Sequence, residues 1–183
     1  MIGGVGVARG MKIIAVLSFA ATAVFAIIYQ IKPLGIFLTL AITAGTVFYH
    51  FSMRLLVGGI FNKLMHNDAD CNKKWFQITK AEQKLYDALK LKKWKKHLPT
   101  YDPSVFDTKL HTLEEIAKAT CQAELVHETI ALLSFLPIVA SAWLGSAEVF
   151  IITSVLSAAF DLCFAALQRY NRPRLLKIIN NRK

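Results

Sequence analysis

The sequence predicts an all-α, polytopic membrane protein with four transmembrane helices, and three observations carry that prediction. Four stretches, at about residues 12–31, 34–54, 126–144 and 148–168, are apolar over roughly the 20 residues that a spanning helix needs. The chain is 55% hydrophobic with a mean hydropathy of +0.42. Only 19% of its 183 residues are charged, against about a quarter in globular chains. An ordinary soluble domain is excluded on these grounds, and one membrane domain spanning residues 1–183 accounts for the length.

The first span follows Arg9 and Lys12 and holds no charge until Lys32. A cleaved signal has a shorter apolar region and a small-residue cleavage site, so this reads as a retained helix. Lys32-Pro33 turns the chain into the second span. There Thr39, Thr43, Thr46, His50 and Arg54 recur at spacings of 4, 3, 4 and 4, one narrow stripe of a helix. The threonines suit back-bonding to their own helix and helix–helix contact. His50 and Arg54, at the inner end, are harder to assign to packing.

A polar segment, 61–122, carries twelve Lys against eight Asp or Glu. Within it, residues 81–97 read as a basic helix with Leu85, Leu89 and Trp94 among lysines, suited to the headgroup layer. Pro99 and Pro103 stop it. Thr112-Leu113-Glu114-Glu115 is a capping-box pattern and opens a helix that runs on into the third span, where Pro137 predicts a kink. Gly145-Ser146 turns the chain into the fourth span, and a tail, 169–183, carries six Lys or Arg.

The net charge of +10 points first to anionic lipid headgroups. No aromatic-interleaved basic groove or nucleic-acid motif is present, so no nucleic-acid partner is expected. The basic residues collect in the middle segment and the tail, which the positive-inside rule places in the cytoplasm with both termini. Cys71, Cys121 and Cys163 lack metal-ligand spacing and read as structural, reduced thiols; no metal site is expected.

Three clusters at that inner face can carry chemistry. Glu124, His127 and Glu128 share a helix surface, and a carboxylate beside an imidazole can fix its tautomer for general-base work; a headgroup-level ion pair is the plainer alternative. Asp161 lies about two turns inside the fourth span, where an ionisable group faces the bundle and finds a partner. Arg54 or His50 are the partners at hand. Gln168, Arg169, Tyr170, Asn171, Arg172 and Arg174 form a dense donor set for phosphate or carboxylate, or a positive-inside anchor.

The second half of the chain resembles the glycosyl-4,4'-diaponeurosporenoate acyltransferase family, which adds the fatty acyl chain late in staphyloxanthin-type carotenoid synthesis. The matching pieces are Lys93-Trp94-Lys95, Ala123-Glu124-Leu125 with His127, Leu136-Pro137 and, above all, the octet from Gln168 to Leu175. They occur in the family's order across roughly residues 75–175. The first span and the threonine stripe lie outside the match. Asp161 stands where a neutral amide is expected, and the loop Thr100-Tyr101-Asp102-Pro103 is not part of the pattern, which marks a divergent member.

The resemblance implies a membrane acyltransferase that moves a fatty acyl chain from an acyl thioester, such as acyl-CoA, to a hydroxyl of a glycosylated lipid. No further cofactor is implied. His127, oriented by Glu124, is the expected base. Arg169, Arg172 or Tyr170 are expected to stabilise the oxyanion or hold the donor's phosphates. Gln168, Asn171, Arg174, Asp161, His50, Arg54 and Trp94 are the remaining candidates for binding acceptor or donor. Two rival readings stand beside this: a different lipid-modifying enzyme, such as a methyltransferase or reductase, and a non-catalytic lipid-binding protein. Oligomeric state is not legible.

Overall fold

The computed structural model describes residues 4–94, 98 and 101–182. Seven α-helices and two single 3₁₀ turns make up the described chain, with no strand among those residues. Four segments are long and apolar enough to cross a membrane: Gly6–Ile31, Gly35–Met65, Leu113–Leu144 and Ala147–Asn180.

Helix α1 (Gly4–Ile31) packs along α2 (Gly35–Met65), with Phe19 against Phe48 at 5.2 Å between ring centres. Helix α5 (Leu113–Leu133) packs along α7 (Ala147–Asn180), and α2 lies against both. Outward-facing apolar side chains such as Val16, Leu17, Trp143 and Leu156 remain exposed, the pattern that a hydrocarbon surround accommodates. As expected, the stripe threonines bond back to their own helix: Thr43 donates to the Thr39 carbonyl at 2.8 Å and Thr46 to that of Thr43 at 2.9 Å.

Pro137 breaks the third span. Helix α5 ends at Leu133 and α6 (Pro137–Leu144) resumes after one turn. Proline has no N–H to offer the carbonyl four residues back, which belongs to Leu133. That carbonyl instead accepts from Tyr49 of α2 at 2.9 Å, so the break also ties two spans together.

Two boundaries differ from the sequence expectation, the ends of α2 and α7, each because packing extends a helix beyond its apolar stretch. Helix α2 runs to Met65, past Gly58-Gly59, with Met53 and Val57 clustered on Ile130 and flanked by Phe61. It ends at His66, whose left-handed φ of 51° lets its N–H cap the Asn62 carbonyl. Helix α5 starts at Leu113 on the expected capping box, with both reciprocal Thr112–Glu115 bonds formed. The polar segment is therefore 66–112. Residues 169–180 are not a tail but the last turns of α7, which continues through Pro173. At about 1.5 Å per residue, its 34 residues reach about 51 Å, well beyond a hydrocarbon core of about 30 Å.

The basic helix expected over 81–97 is divided. Helix α3 (Lys80–Ala88) opens on an unforeseen Thr79–Glu82 capping box, and Lys90, at φ 53°, separates it from α4 (Leu91–Trp94). Residues 95–97, and the side chain of Trp94, lie outside the described residues. Asp102 accepts from the Ser104 N–H and starts a 3₁₀ turn at Pro103–Phe106, which packs on α5.

Candidate active site

Helix periodicity divides the polar residues of α7 between two faces with separate tasks. One face turns toward α5 and the polar segment. There Glu124 of α5 is fully buried. Its Oε1 accepts from Arg169 Nη1 at 2.6 Å and its Oε2 from Arg172 Nη2. Arg172 is 1% exposed; it donates also to the Phe76 carbonyl at 2.9 Å and to Thr120 Oγ1 at 3.2 Å, and lies over the Phe76 ring. Arg169 reaches Glu82 of α3 at 3.0 Å and the Trp75 carbonyl at 3.0 Å. Tyr170 is buried among Tyr86, Leu91 and Leu167 and accepts from Arg174 at 2.8 Å. Burial lifts the Tyr86 hydroxyl above its ordinary pKa. This cluster is a clamp that fastens the polar segment to the bundle.

The clamp overturns two expectations. Glu124 does not orient His127, because both of its oxygens are taken by arginines. Arg169, Arg172 and Tyr170 are turned into this layer and do not line the cavity described below, although Arg169 Nε is left there without a hydrogen-bond partner. Equally, the three described cysteines are free, with Cys121 buried beside Phe76 and Ala69.

The other face of α7 carries Asp161, Phe164, Gln168 and Asn171 and opens on a cavity of about 1020 Å³. At its inner end, His127 Nδ1 lies 3.0 Å from Asp161 Oδ1. The imidazole is stacked on Phe164, with ring centres 4.8 Å apart and planes 14° from parallel. Asp161 is 1% exposed and its second oxygen accepts from Arg54 Nη2 at 2.5 Å, the pairing that the sequence offered for it. Arg54 also donates to Ser157 Oγ at 2.8 Å, and Ser157 Oγ lies 2.8 Å from Ser134 Oγ. A continuous polar chain thus runs from the cavity into the bundle, His127–Asp161–Arg54–Ser157–Ser134.

With Nδ1 committed to Asp161, Nε2 is the ring nitrogen of His127 without a hydrogen bond to any described residue. The side chain is 24% exposed and lines the cavity. A carboxylate on one imidazole nitrogen fixes the tautomer and leaves the other as a proton acceptor, the arrangement of the triads. His50 does not join. It is buried in α2, one turn before Arg54, and neither ring nitrogen has a partner. No group of His, Cys, Asp or Glu is arranged to hold a metal among the described residues.

The cavity wall has two origins. Helix α7, α5 and the segment Tyr101–Thr108 supply one side; Arg54, Gly58, Gly59 and Asn62 of α2, with Met11 of α1, supply the other. A Cβ on Gly58 or Gly59 would meet nothing within 4 Å, so these glycines leave open floor.

The glycosyl-4,4'-diaponeurosporenoate acyltransferase family matches residues 72–181. The chain belongs to this family. Family membership suggests an acyltransferase of carotenoid biosynthesis, and the four candidate spans fit a membrane protein. Neither the comparison with curated proteins nor that with solved structures finds a match. Of the site, His127, Asp161 and the lining face of α7 lie inside the family match, whereas Arg54, Gly58, Gly59 and Asn62 precede it.

Sequence reasoning missed Phe164, Ser157, Ser134 and the Tyr101–Thr108 wall. A signal for part of this was present: Ser154, Ser157, Asp161 and Phe164 recur at spacings of 3, 4 and 3, one helix face.

Proposed function

We propose that the protein is a membrane-bound O-acyltransferase that moves a fatty acyl chain from an acyl thioester to a hydroxyl of a glycosylated lipid. The observation that carries this is His127 with Nδ1 held by Asp161 and Nε2 left toward the cavity. Nε2 takes the proton of the acceptor hydroxyl as its oxygen attacks the thioester carbonyl carbon. The tetrahedral adduct collapses with cleavage of the C–S bond, and the imidazolium returns its proton to the leaving thiolate. Asp161 orients the imidazole and offsets its transient charge. Arg54, on the cavity wall, supplies positive charge near the developing oxyanion.

In this reading the thioester is a co-substrate, acyl-CoA being the simplest, and no other cofactor takes part. The partners are the acyl donor, the glycosidic acceptor and membrane lipids, with no nucleic acid. The protein sits as a multi-pass component of the cell membrane with both termini and the polar segment at the cytoplasmic face, where a soluble thioester is available. The basic residues of segment 66–112 and of the end of α7 support that orientation.

The test is transfer of a radiolabelled acyl group from acyl-CoA to an alkyl glycoside by purified protein in nanodiscs. His127→Ala lowers turnover by about 10²–10⁴-fold while the variant melts as the parent does, because Asp161 keeps Arg54. Full activity in that variant refutes the proposed base.

A further inference from the structure

Two cysteines far apart in sequence meet beside the clamp. Cys71 lies in the polar segment, just before the 3₁₀ turn Lys74–Phe76, and Cys121 lies on α5, one turn before Leu125. Both pack in one cluster with Ala69, Phe76, Met65 and Leu125. Their thiols are close enough to share a hydrogen bond, with Cys121 donating to the Cys71 sulfur. Cys71 in turn aims its S–H at the Ala69 carbonyl, 3.7 Å away.

A disulfide tolerates only a narrow range of separation and angle, and the surroundings hold these two sulfurs in register. On one side of Cys71 the Asn67 N–H donates to Gln122 Oε1 at 2.7 Å and Lys118 reaches Asp68 at 2.6 Å. On the other, Arg172 donates to the Phe76 carbonyl at 2.9 Å. The segment is therefore fastened to α5 both before and after Cys71, and a bridge needs little movement. The two thiols are also unequal. Cys121 is fully buried, whereas Cys71 is partly exposed. The hydrogen bond from Cys121, with the charges of Arg172 and Lys118, holds the Cys71 thiol below its ordinary pKa against burial and the nearby Asp70. Thiol exchange uses this division: an accessible, more readily ionised sulfur attacks, and an enclosed neighbour resolves. Neither cysteine lines the cavity, so the proposed transfer leaves both unused.

We propose that Cys71 and Cys121 form a thiol–disulfide exchange site whose co-reactant is a low-molecular-weight disulfide. Cys71 gives up its proton and attacks one sulfur of that disulfide. The first thiolate leaves and takes up a proton, and a mixed disulfide remains on Cys71. The Cys121 sulfur then attacks the Cys71 sulfur, and its proton passes to the second leaving thiolate. The protein loses two hydrogens with their electrons, the small disulfide gains them as two thiols, and one S–S bond replaces another. In the cytoplasmic orientation proposed above the pair rests as a dithiol, because that compartment keeps thiols reduced, and an oxidising episode closes it. The bridge ties residues 71–121 into a covalent loop that carries α3, α4 and the Tyr101–Thr108 cavity wall.

The experiment equilibrates the full chain in nanodiscs with oxidised and reduced glutathione in varied ratio. Free thiols are trapped with iodoacetamide, and the peptides are mapped by mass spectrometry. Excess oxidised glutathione yields the Cys71–Cys121 peptide pair with Cys163 alkylated, and excess reduced glutathione reopens it. The bridged protein melts about 5 °C or more above the reduced form, because a cross-link restricts the unfolded chain. Cys71→Ser shows no such gain under the same oxidant. Glutathione left on Cys71 without a bridge overturns the inference, as does a bridge to Cys163 or between two copies. So does a bridge that reduced glutathione in about a hundredfold excess leaves intact. A bridge that leaves the melting temperature unchanged or lower means that the two sulfurs are not poised for it, and overturns the inference as well. None of these outcomes depends on acyl transfer, so an inactive His127→Ala protein exchanges its thiols as the parent does.

Discussion

Glu124→Gln changes one oxygen to an NH₂ group in the most enclosed part of the clamp. The parent carboxylate is fully buried, and each oxygen serves a different arginine, Arg169 at 2.6 Å and Arg172. Glutamine keeps the shape but aims two N–H groups at a guanidinium that has only N–H groups to offer. The two arginines feel this unequally. Arg169 keeps Glu82 and the Trp75 and Gln77 carbonyls. Arg172, 1% exposed, keeps only neutral acceptors on Thr120 and Phe76 and has no route to water. Removing one member of a buried ion pair costs about 3–5 kcal/mol, a large part of a total stability of about 5–15 kcal/mol. Thermal and urea unfolding of the purified protein in nanodiscs, followed by tryptophan fluorescence, measures it. A loss below about 1 kcal/mol, well under the cost of stranding a buried charge, refutes the clamp. A variant that melts like the parent but has lost all transfer activity restores Glu124 as a catalytic group.

Asp161→Leu leaves Arg54 without its carboxylate inside a span and is expected to cost about 3–5 kcal/mol, whereas Arg54→Met/Asp161→Leu recovers most of that loss; both are inactive, as paired melting and transfer assays will register. Gly58→Leu adds a side chain into open cavity space and gains about 0.5–1 kcal/mol of helix stability, yet raises KM for the acceptor, read from initial rates. Thr112→Ala removes the α5 capping box and costs about 1 kcal/mol by urea unfolding, with turnover per folded molecule unchanged.

The spans were legible because a hydrocarbon surround writes itself into composition: about 20 apolar residues in a row are hard to shelter from water except in a bilayer. The far ends of α2 and α7 were not, since Met65 and Asn180 close helices that have left the apolar layer, whereas the start of α5 at Leu113 was written in the Thr112–Glu115 capping box. The site was legible as a set of residues and in one pair, Arg54–Asp161, but the Glu124–His127 pair was misread. Glu124 and His127 are neighbours on α5, and local spacing suggested that one serves the other. Helix α7 supplies a better partner to each: Arg169 and Arg172 to Glu124, Asp161 to His127. Which of two nearby carboxylates an imidazole meets depends on the rotation of a second helix, and no spacing within the first can reveal it. The octet from Gln168 to Leu175 shows the same thing. Taken as a tail, it offers three equivalent arginines; as helix, it separates Arg169 and Arg172 from Gln168 and Asn171 by the 3.6-residue period.

Asp161 and Arg54 also account for one departure from the family resemblance. A neutral amide at position 161 can hold the His127 ring without a counter-charge. A carboxylate there, 1% exposed within a span, requires a cation in contact, because a lone buried charge is far costlier than a paired one. Helix α2 provides it through Arg54, from outside the residues that match the family. The two residues therefore stand or fall together, and α1 and α2 are more than an anchor: without them the matched region would present His127 on an uncompensated carboxylate and a cavity with one wall missing. The exchange has a chemical consequence as well. An amide orients an imidazole, whereas a carboxylate can also offset the charge of the imidazolium in the proposed transfer.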